Sequence, residues 1–544
     1  MSATLSTEAA AETDTTCEVF RGLAQGSLTA GAVHRFVVGE DTQMRVLTPE
    51  EATAELGDPF ATELLLKGRF PRFAGEVVDA FATAGAEGDP LREAKFFLVG
   101  DGSQLPVSPE TASVKRNMRF LVTLGHGPEG PDVMLSSFEP TEGDVELLAW
   151  DRVNGGFNYY QTVGDSSGWV FAGNSRHALF EATEGKGPFE AHPSGNVVMK
   201  ELSSPWINWH SPAANILDSA FPEGHPLRAN PWVDRAQEEP QGAIVSEQLI
   251  RRAIDRWTRT RFAGIAANGG VVERPERILR QILESRAVNL ISSHTEGGIV
   301  ETAPTVDLPQ TFFVDSEGLG IEKLGLPAPD TAFMVPGAMY AASMETFAVT
   351  LTDGAAFSRP GDTHFAFVVP QRAAEDQAVL AAAIDAGLLT DRLAACLLMT
   401  DFPNPVFSAR RASLLRHVPE TATVTNGTSE FSQLLGDAIV AAAEATGPDS
   451  PEREFAGRWG VGDGWREVFG AELNQYYAAI TERLREQDGL DDVIRLAESR
   501  RDHVRGSDLH QRMPISESPL LFARTNISFG ERVMRPDATV AEVS

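Results

Sequence analysis

Histidine and tryptophan are concentrated in one stretch of the chain, between residues 150 and 232. This stretch contains four of the eleven histidines and five of the eight tryptophans, together with several asparagines. Imidazole nitrogens among large apolar rings and side-chain amides are typical of a ligand pocket. The composition therefore predicts a reaction centre in this part of the chain.

Three histidines of this stretch are spaced as metal ligands from separate elements could be. Neighbouring histidines are 15 or 18 residues apart, which excludes a single helix or strand but suits strands and loops that converge. We expect His177, His192 and His210 to bind a transition metal, iron first, or to hold haem. Glu201 or Asp151 would then transfer protons.

Large side chains next to His210 predict a wall for the substrate. In the run MKELSSPWINWH, Trp206, Asn208 and His210 would share one face of a strand. We therefore expect Trp206, Asn208 and Trp209 to bind a small organic substrate. The alternative is that both rings pack in the core and that all four histidines, including His225, are surface or hydrogen-bonded core residues.

A second set of residues matches the order of a non-haem iron site. His294 and Glu296 form an H-x-E pair, His364 follows 68 residues after Glu296, and Arg372 comes eight residues later. Two histidines and a carboxylate are the facial triad of iron oxygenases, and the arginine could bind an anionic substrate. The alternative is that this order of residues arises by chance, because H-x-E pairs are common in long chains.

Arginine is dense on one expected helix near residue 255. The helix carries Arg251, Arg252, Arg256, Arg259 and Arg261. In an acidic protein such a local positive charge could hold a carboxylate or propionate group. A solvated face with salt bridges is the alternative.

Several common catalytic motifs are absent or out of context. The letters of residues 164–168 match G-x-S-x-G, but strand-like runs lie on both sides, whereas a nucleophile elbow joins a strand to a helix. No P-loop, H-E-x-x-H or zinc deaminase signature occurs. The two cysteines, Cys17 and Cys396, cannot form a cysteine zinc site, and Cys396 lies in an apolar run that predicts burial.

These observations favour a metal- or haem-dependent oxidoreductase. A zinc-dependent hydrolase or lyase could use the same histidines, and a colourless, redox-silent zinc protein would favour that alternative. A non-catalytic binding or assembly protein is the third hypothesis. It would treat the aromatic residues as core and bind neither metal nor haem.

The net charge of −31 limits the partners of the chain. Nonspecific binding to nucleic acid needs a surplus of lysine and arginine, and anionic membrane surfaces repel acidic proteins. The N-terminal residues lack the basic and apolar regions of a secretion signal, and no run of about 18 apolar residues occurs. We expect a soluble, cytoplasmic protein that could form oligomers.

The residue pattern changes from strand-like to helix-like along the chain. We expect a disordered N-terminus over 1–16 and a β-rich domain over 17–245. A mixed, then helical, domain would follow over 246–512, and an extended arm over 513–544. The predicted fold class is α+β, with a mainly β N-terminal half and a mainly helical C-terminal half.

Local patterns predict particular elements within these domains. Leu249, Ile250, Ala253, Ile254 and Trp257 recur at helical spacing after Ser246, which is expected to cap the helix. One long helix is predicted over 59–86. The run TFFVD at 311–315 is predicted as a strand, and Asn426-Gly-Thr as a turn.

Overall fold

A mainly strand N-terminal half and a helical C-terminal half form the fold, as predicted. The computed structural model describes residues 28–101, 108–112, 114, 117–137, 143–163, 167–197, 223–238, 242–267, 269–285, 288–293, 304–330, 332–353, 357–362, 367–506 and 523–543.

Eight strands of the N-terminal half form one sheet. They are β1 Val33–Arg35, β2 Arg45–Val46, β3 Lys95–Asp101, β4 Asn117–Leu124, β5 Val133–Ser137, β6 Glu146–Asp151, β7 Gly156–Thr162 and β8 Trp169–Asn174. Their order is β2-β1-β8-β7-β6-β5-β4-β3. The β5 to β8 meander is antiparallel, whereas β1 and β8 are parallel.

Ten short strands form two-stranded ladders in the rest of the described chain. They are β9 Val271–Glu273, β10 Val288–Ile291, β11 Thr305–Leu308, β12 Phe333–Pro336, β13 Thr350–Asp353, β14 Phe357–Pro360, β15 Val369–Arg372, β16 Thr421–Thr423, β17 Arg532–Met534 and β18 Val540–Glu542. Strand β9 pairs with β16, and β10 pairs with β15, both antiparallel.

Helices dominate from residue 231 onward, after three short ones near the N-terminus. They are α1 Pro49–Glu55, α2 Pro59–Glu63, α3 Ala74–Thr83, α4 Pro231–Gln237, α5 Gly242–Ala267, α6 Glu276–Leu283, α7 Gln310–Phe313, α8 Ser316–Leu319, α9 Gly337–Thr346, α10 Ala374–Asp385, α11 Asp391–Met399, α12 Ala409–Ala412, α13 Phe431–Ala443, α14 Pro451–Trp459, α15 Trp465–Arg483 and α16 Gln487–Gly506. In the described residues no helix is long and apolar enough to cross a membrane.

Contacts divide the chain into two compact units. Unit 1 contains residues 1–93 and 132–195, and unit 2 contains residues 94–131 and 196–544. Unit 1 includes β1, β2 and β5 to β8, and unit 2 includes the β3–β4 hairpin and every helix from α4 onward. The domain boundary expected near residue 245 stays a prediction.

The apolar stripe of α5 is confirmed. Leu249, Ile250, Ala253, Ile254 and Trp257 are all buried, because one helix face repeats every 3.6 residues. The expected cap is wrong. The helix begins four residues before Ser246, at Gly242, so Ser246 lies within it.

Two other element predictions are wrong for local reasons. The helix expected over 59–86 ends at Glu63, is followed by a 3-10 turn that Gly68 terminates with a φ angle of 76°, and resumes as α3 only after Pro71, which cannot continue a helix. The run at 311–315 contributes to the short helix α7, where Phe312 and Phe313 are buried. A short apolar run does not distinguish a strand from a buried helical turn.

Candidate functional site

Both ring nitrogens of His177 face local partners in unit 1. Nδ1 lies 2.9 Å from the Asn174 side-chain oxygen and 3.1 Å from the Asn174 backbone nitrogen, and Nε2 lies 3.5 Å from a Glu40 carboxylate oxygen. Burial lowers the pKa of His177, and the charge of Glu40 partly offsets this. These contacts anchor the turn that follows β8. A metal at His177 would have to displace one of them.

The other predicted ligands have separate surroundings. The ring of His192 packs against Tyr159 in unit 1, with 5.1 Å between centroids. In unit 2, His225 Nδ1 accepts a hydrogen bond from the backbone N–H of Leu227 and caps a short 3-10 turn. His210 lies outside the described residues, so the predicted metal centre is not tested.

The predicted substrate wall and one proton carrier cannot be placed. Glu201, Trp206, Asn208 and Trp209 lie outside the described residues. Within the described part of the chain, no group of three or more histidines, cysteines or carboxylates is arranged to hold a metal ion. The site built from these residues stays a prediction.

The described tryptophans of the same stretch pack in the cores. Trp150 contacts Phe157, and Trp169 contacts Phe60, both edge to face. In unit 2, Trp232 packs against two phenylalanines of the β3–β4 hairpin. The density of aromatic residues therefore reflects core packing at these three positions.

Asp151 is a buried anchor for the turn between β6 and β7. Its carboxylate accepts hydrogen bonds from five N–H groups, with lengths of 2.8 to 3.2 Å. Three come from backbone nitrogens, and two come from the side-chain amides of Asn154 and Asn158. The geometry explains why this carboxylate tolerates full burial. Proton transfer by Asp151 stays a prediction.

A neighbouring carboxylate, Asp58, was not singled out from the sequence. Asp58 caps α2 through the Ala61 N–H and accepts hydrogen bonds from Asn158 Nδ2 and the Tyr160 hydroxyl. Burial raises the pKa of Asp58 to about 6, and the charge of Asp151 adds to this. The Asp-Pro pair at 58–59 signals the helix cap. Nothing local signals partners about a hundred residues away.

Arg372, the expected anion-binding residue of the iron triad, is engaged within the protein. One guanidinium nitrogen lies 2.8 Å from Asp315, and the other donates to the carbonyls of Gln281 and Ile282 at the end of α6. Arg372 is 4 % exposed. Its contacts join α6, α8 and β15. The other triad residues, at positions 294, 296 and 364, lie outside the described residues.

The thiol of Cys396 is buried in α11, as the apolar run around it predicts. Burial raises the pKa of this thiol to about 12, so it stays protonated near neutral pH. Cys17 lies outside the described residues.

The arginines of α5 have different roles. Arg251 forms an ion pair with Glu247, and the side chains of Arg256 and Arg261 donate to Pro131 and Gln281. Arg252 and Arg259 instead line a groove on unit 2. The density of arginine thus combines structural contacts with one surface that can bind a ligand.

This groove has a volume of about 1000 Å³ and lies between α5 and α10. Phe262 and Ile265 of α5 contribute apolar surface, and Ala378 and Ala382 of α10 leave space opposite them. The volume is at the upper end of the range for small-molecule sites.

A turn forms one end of the groove. Asn426 and Gly427 both have positive φ angles, 52° and 73°, and join Thr425 to Thr428 in a tight turn, which confirms the turn predicted from the sequence. The backbone beyond α5 bonds to Val424, and the residues beyond α10 contact Gly427. Both helices therefore run toward this turn in the same direction.

The loop between β4 and β5 contributes the other wall. Gly130 approaches the backbone of α5 so closely that a Cβ atom there would lie 2.8 Å from the Ala253 nitrogen. The preceding residue, Glu129, lines the groove and forms a 3.2 Å ion pair with Arg259.

The Thr258 side chain, on the same helix face, is buried without a partner in the described part of the chain. The Thr258 hydroxyl is buried and accepts or donates no hydrogen bond there, although the residue is only 2 % exposed. A buried hydroxyl without a partner costs free energy, on the order of 1–3 kcal/mol. The oxygen atom has almost no accessible surface, so it lies behind the wall of the groove.

Comparison with known proteins gives no match: no family model, no curated protein and no solved structure is similar to this chain.

Proposed function

We propose that the chain binds a small organic molecule in the groove between α5 and α10. The observation that carries the proposal is a groove of about 1000 Å³ in which apolar side chains lie beside the charged Arg252 and Asp255. Apolar walls with a few polar groups are the usual composition of small-molecule sites. This function corresponds to the non-catalytic binding hypothesis.

The groove favours binding over catalysis. The side chains that line it are carboxylates, guanidinium groups, two threonines, one asparagine and apolar groups. Desolvation raises the pKa of Asp255, and the charges of Arg259 and Arg251 oppose this. Such groups can hold a polar or charged ligand atom, whereas proton transfer would require a defined acid–base partner.

A fluorescent titration tests the proposal. N-phenyl-1-naphthylamine is a neutral apolar dye that becomes bright in apolar sites, and we expect saturable binding of one dye per chain. Ala382→Trp should abolish this binding, because the indole would occupy the groove next to α10. Ala478→Trp, at an exposed position of α15, is the matched control and should bind like the wild type. Equal binding by both variants would refute the proposal.

A second candidate function is oxidation at a non-haem iron site. Ile291 at the end of β10 pairs with Val369 at the start of β15. The segments that carry His294 and His364 are therefore connected to the same end of this ladder. The pairing supports the triad with Glu296 without testing it.

Iron analysis decides this second candidate. Protein loaded anaerobically with Fe(II) and desalted should retain about one iron per chain, and His294→Ala or His364→Ala should lose it. His417→Ala is the control, because His417 pairs with Glu452 elsewhere in unit 2. Retention of iron by all three variants would exclude the triad. The metal or haem site at His177, His192 and His210 stays a prediction, and the same analysis with His210→Ala tests it.

A further inference from the structure

The charges of the groove indicate which class of ligand it takes, and this step rests on the proposed binding function. Arg252 and Asp255 are three residues apart on α5, so their side chains are neighbours on one face of the helix. Both line the groove. Within the described chain neither side chain forms a direct ion pair, although the charges of Arg259 and Arg251 act on Asp255. A ligand can therefore pair with both.

Other charges along the groove are compensated inside the protein. Glu129 pairs with Arg259, and Asp385 pairs with Lys323. These pairs lie at exposed positions and are weak. The two charges of each pair nevertheless neutralise each other, so a ligand needs no charged group to balance them.

Apolar side chains follow the unpaired charges along α5. From Arg252 to Ile265 the helix rises about 20 Å at 1.5 Å per residue. Arg259, which is paired with Glu129, lies one turn beyond Asp255, and Phe262 and Ile265 follow. The alanine face of α10 accompanies this apolar half. The groove thus has an ionic end at Arg252 and Asp255 and an apolar wall at Phe262 and Ile265, and the turn at residues 424–427 closes it.

We propose that the groove binds a zwitterionic amphiphile with an α-amino-acid head and an apolar chain. The ligand carboxylate pairs with Arg252, and its ammonium group pairs with Asp255. The apolar chain lies along Phe262 and Ile265.

Three probes with eight-carbon chains test the head group separately from the chain. They are 2-aminooctanoate, octanoate and octylammonium, each titrated by calorimetry at neutral pH and low salt. We expect 2-aminooctanoate to bind at least tenfold more tightly than either singly charged probe. Arg252→Gln should reduce the ratio of the affinity for 2-aminooctanoate to the affinity for octylammonium. Asp255→Asn should reduce the ratio of the affinity for 2-aminooctanoate to the affinity for octanoate. Arg453→Gln, an exposed arginine of α14, is the control and should change neither ratio.

The outcomes separate this inference from the proposed function. If octanoate or octylammonium binds as tightly as 2-aminooctanoate, the zwitterionic head is wrong while the binding groove stands. The zwitterionic head is also wrong if none of the three probes binds, but the naphthylamine dye binds to the wild type and not to Ala382→Trp. If neither the dye nor a probe binds, the proposed function fails as well.

Discussion

A Cβ atom on Gly387 would lie 1.9 Å from the carbonyl oxygen of Gly427. This contact joins the chain just beyond α10 to the tight turn at Asn426 and Gly427. Gly387 also has a φ angle of 74°, which disfavours residues with a side chain. The end of the groove therefore depends on a backbone approach that only glycine permits.

Gly387→Ala should destabilise unit 2 clearly more than Gly427→Ala. Gly427 shares the positive φ angle but has open space around its Cβ position, so alanine there should cost only about 1–2 kcal/mol of backbone strain. Alanine at position 387 adds a clash with the backbone. Urea unfolding of both variants measures the difference, and equal losses would show that the contact is not tight.

Asp58 should make unit 1 less stable as the pH rises from about 4 to about 6. The folded protein keeps the proton on Asp58 up to a pKa of about 6, whereas the unfolded chain releases it near 3.8. The stability that the neutral carboxyl contributes is therefore present below pH 4 and lost through pH 6. The loss of unfolding free energy is about 3 kcal/mol, because a difference of one in pKa between the folded and unfolded protein corresponds to about 1.36 kcal/mol.

Asp58→Asn isolates this contribution, because the amide does not titrate. The difference in unfolding free energy between wild type and Asp58→Asn should decrease with rising pH across this range. A difference that increases instead would mean that the bonds from Asn158 and Tyr160 hold the carboxylate ionised.

Arg372→Met should cost about 3–5 kcal/mol, because it leaves the buried Asp315 without its cation. Arg485→Met is the control. Arg485 and Glu482 form an exposed pair, 67 % and 72 % accessible, whose loss should be within about 1 kcal/mol. The double variant Arg372→Met/Asp315→Asn should recover part of the loss. Similar midpoints for Arg372→Met and Arg485→Met in thermal unfolding would contradict this assignment.

Thr258→Val should leave stability unchanged or raise it. Valine keeps the shape of threonine and removes a hydroxyl that has no partner in the described chain. Thermal unfolding without ligand measures this effect. A decrease in stability of more than about 1 kcal/mol would mean that the protein itself satisfies the hydroxyl.

Much of the fold could be predicted because the signals are local. The stripe from Leu249 to Trp257 has the helical period, and the strand-like runs that become β6, β7 and β8 are separated by turn residues. Short runs were ambiguous, as at Phe312 and Phe313. Their conformation depends on burial against residues far away in the chain, which periodicity does not encode.

The groove could not be predicted because its walls come from distant segments. Residues near 128, 255, 382 and 426 meet only in the folded chain. Arg252 and Arg259 carried a signal, as two of the arginines expected to hold an anionic group. The Thr258 hydroxyl resembles any helical threonine in the sequence. Only its burial without a partner distinguishes it.

Hydrogen exchange with and without N-phenyl-1-naphthylamine tests the central claim most directly. The dye should slow amide exchange in α5 around residues 255–265, in α10 around 378–386 and in the turn at 424–427. Helix α6 is the internal control and should not change. Protection confined to these three segments, and absent in Ala382→Trp, is the predicted result. Protection elsewhere, or none at a saturating dye concentration, would contradict a ligand-binding groove between α5 and α10.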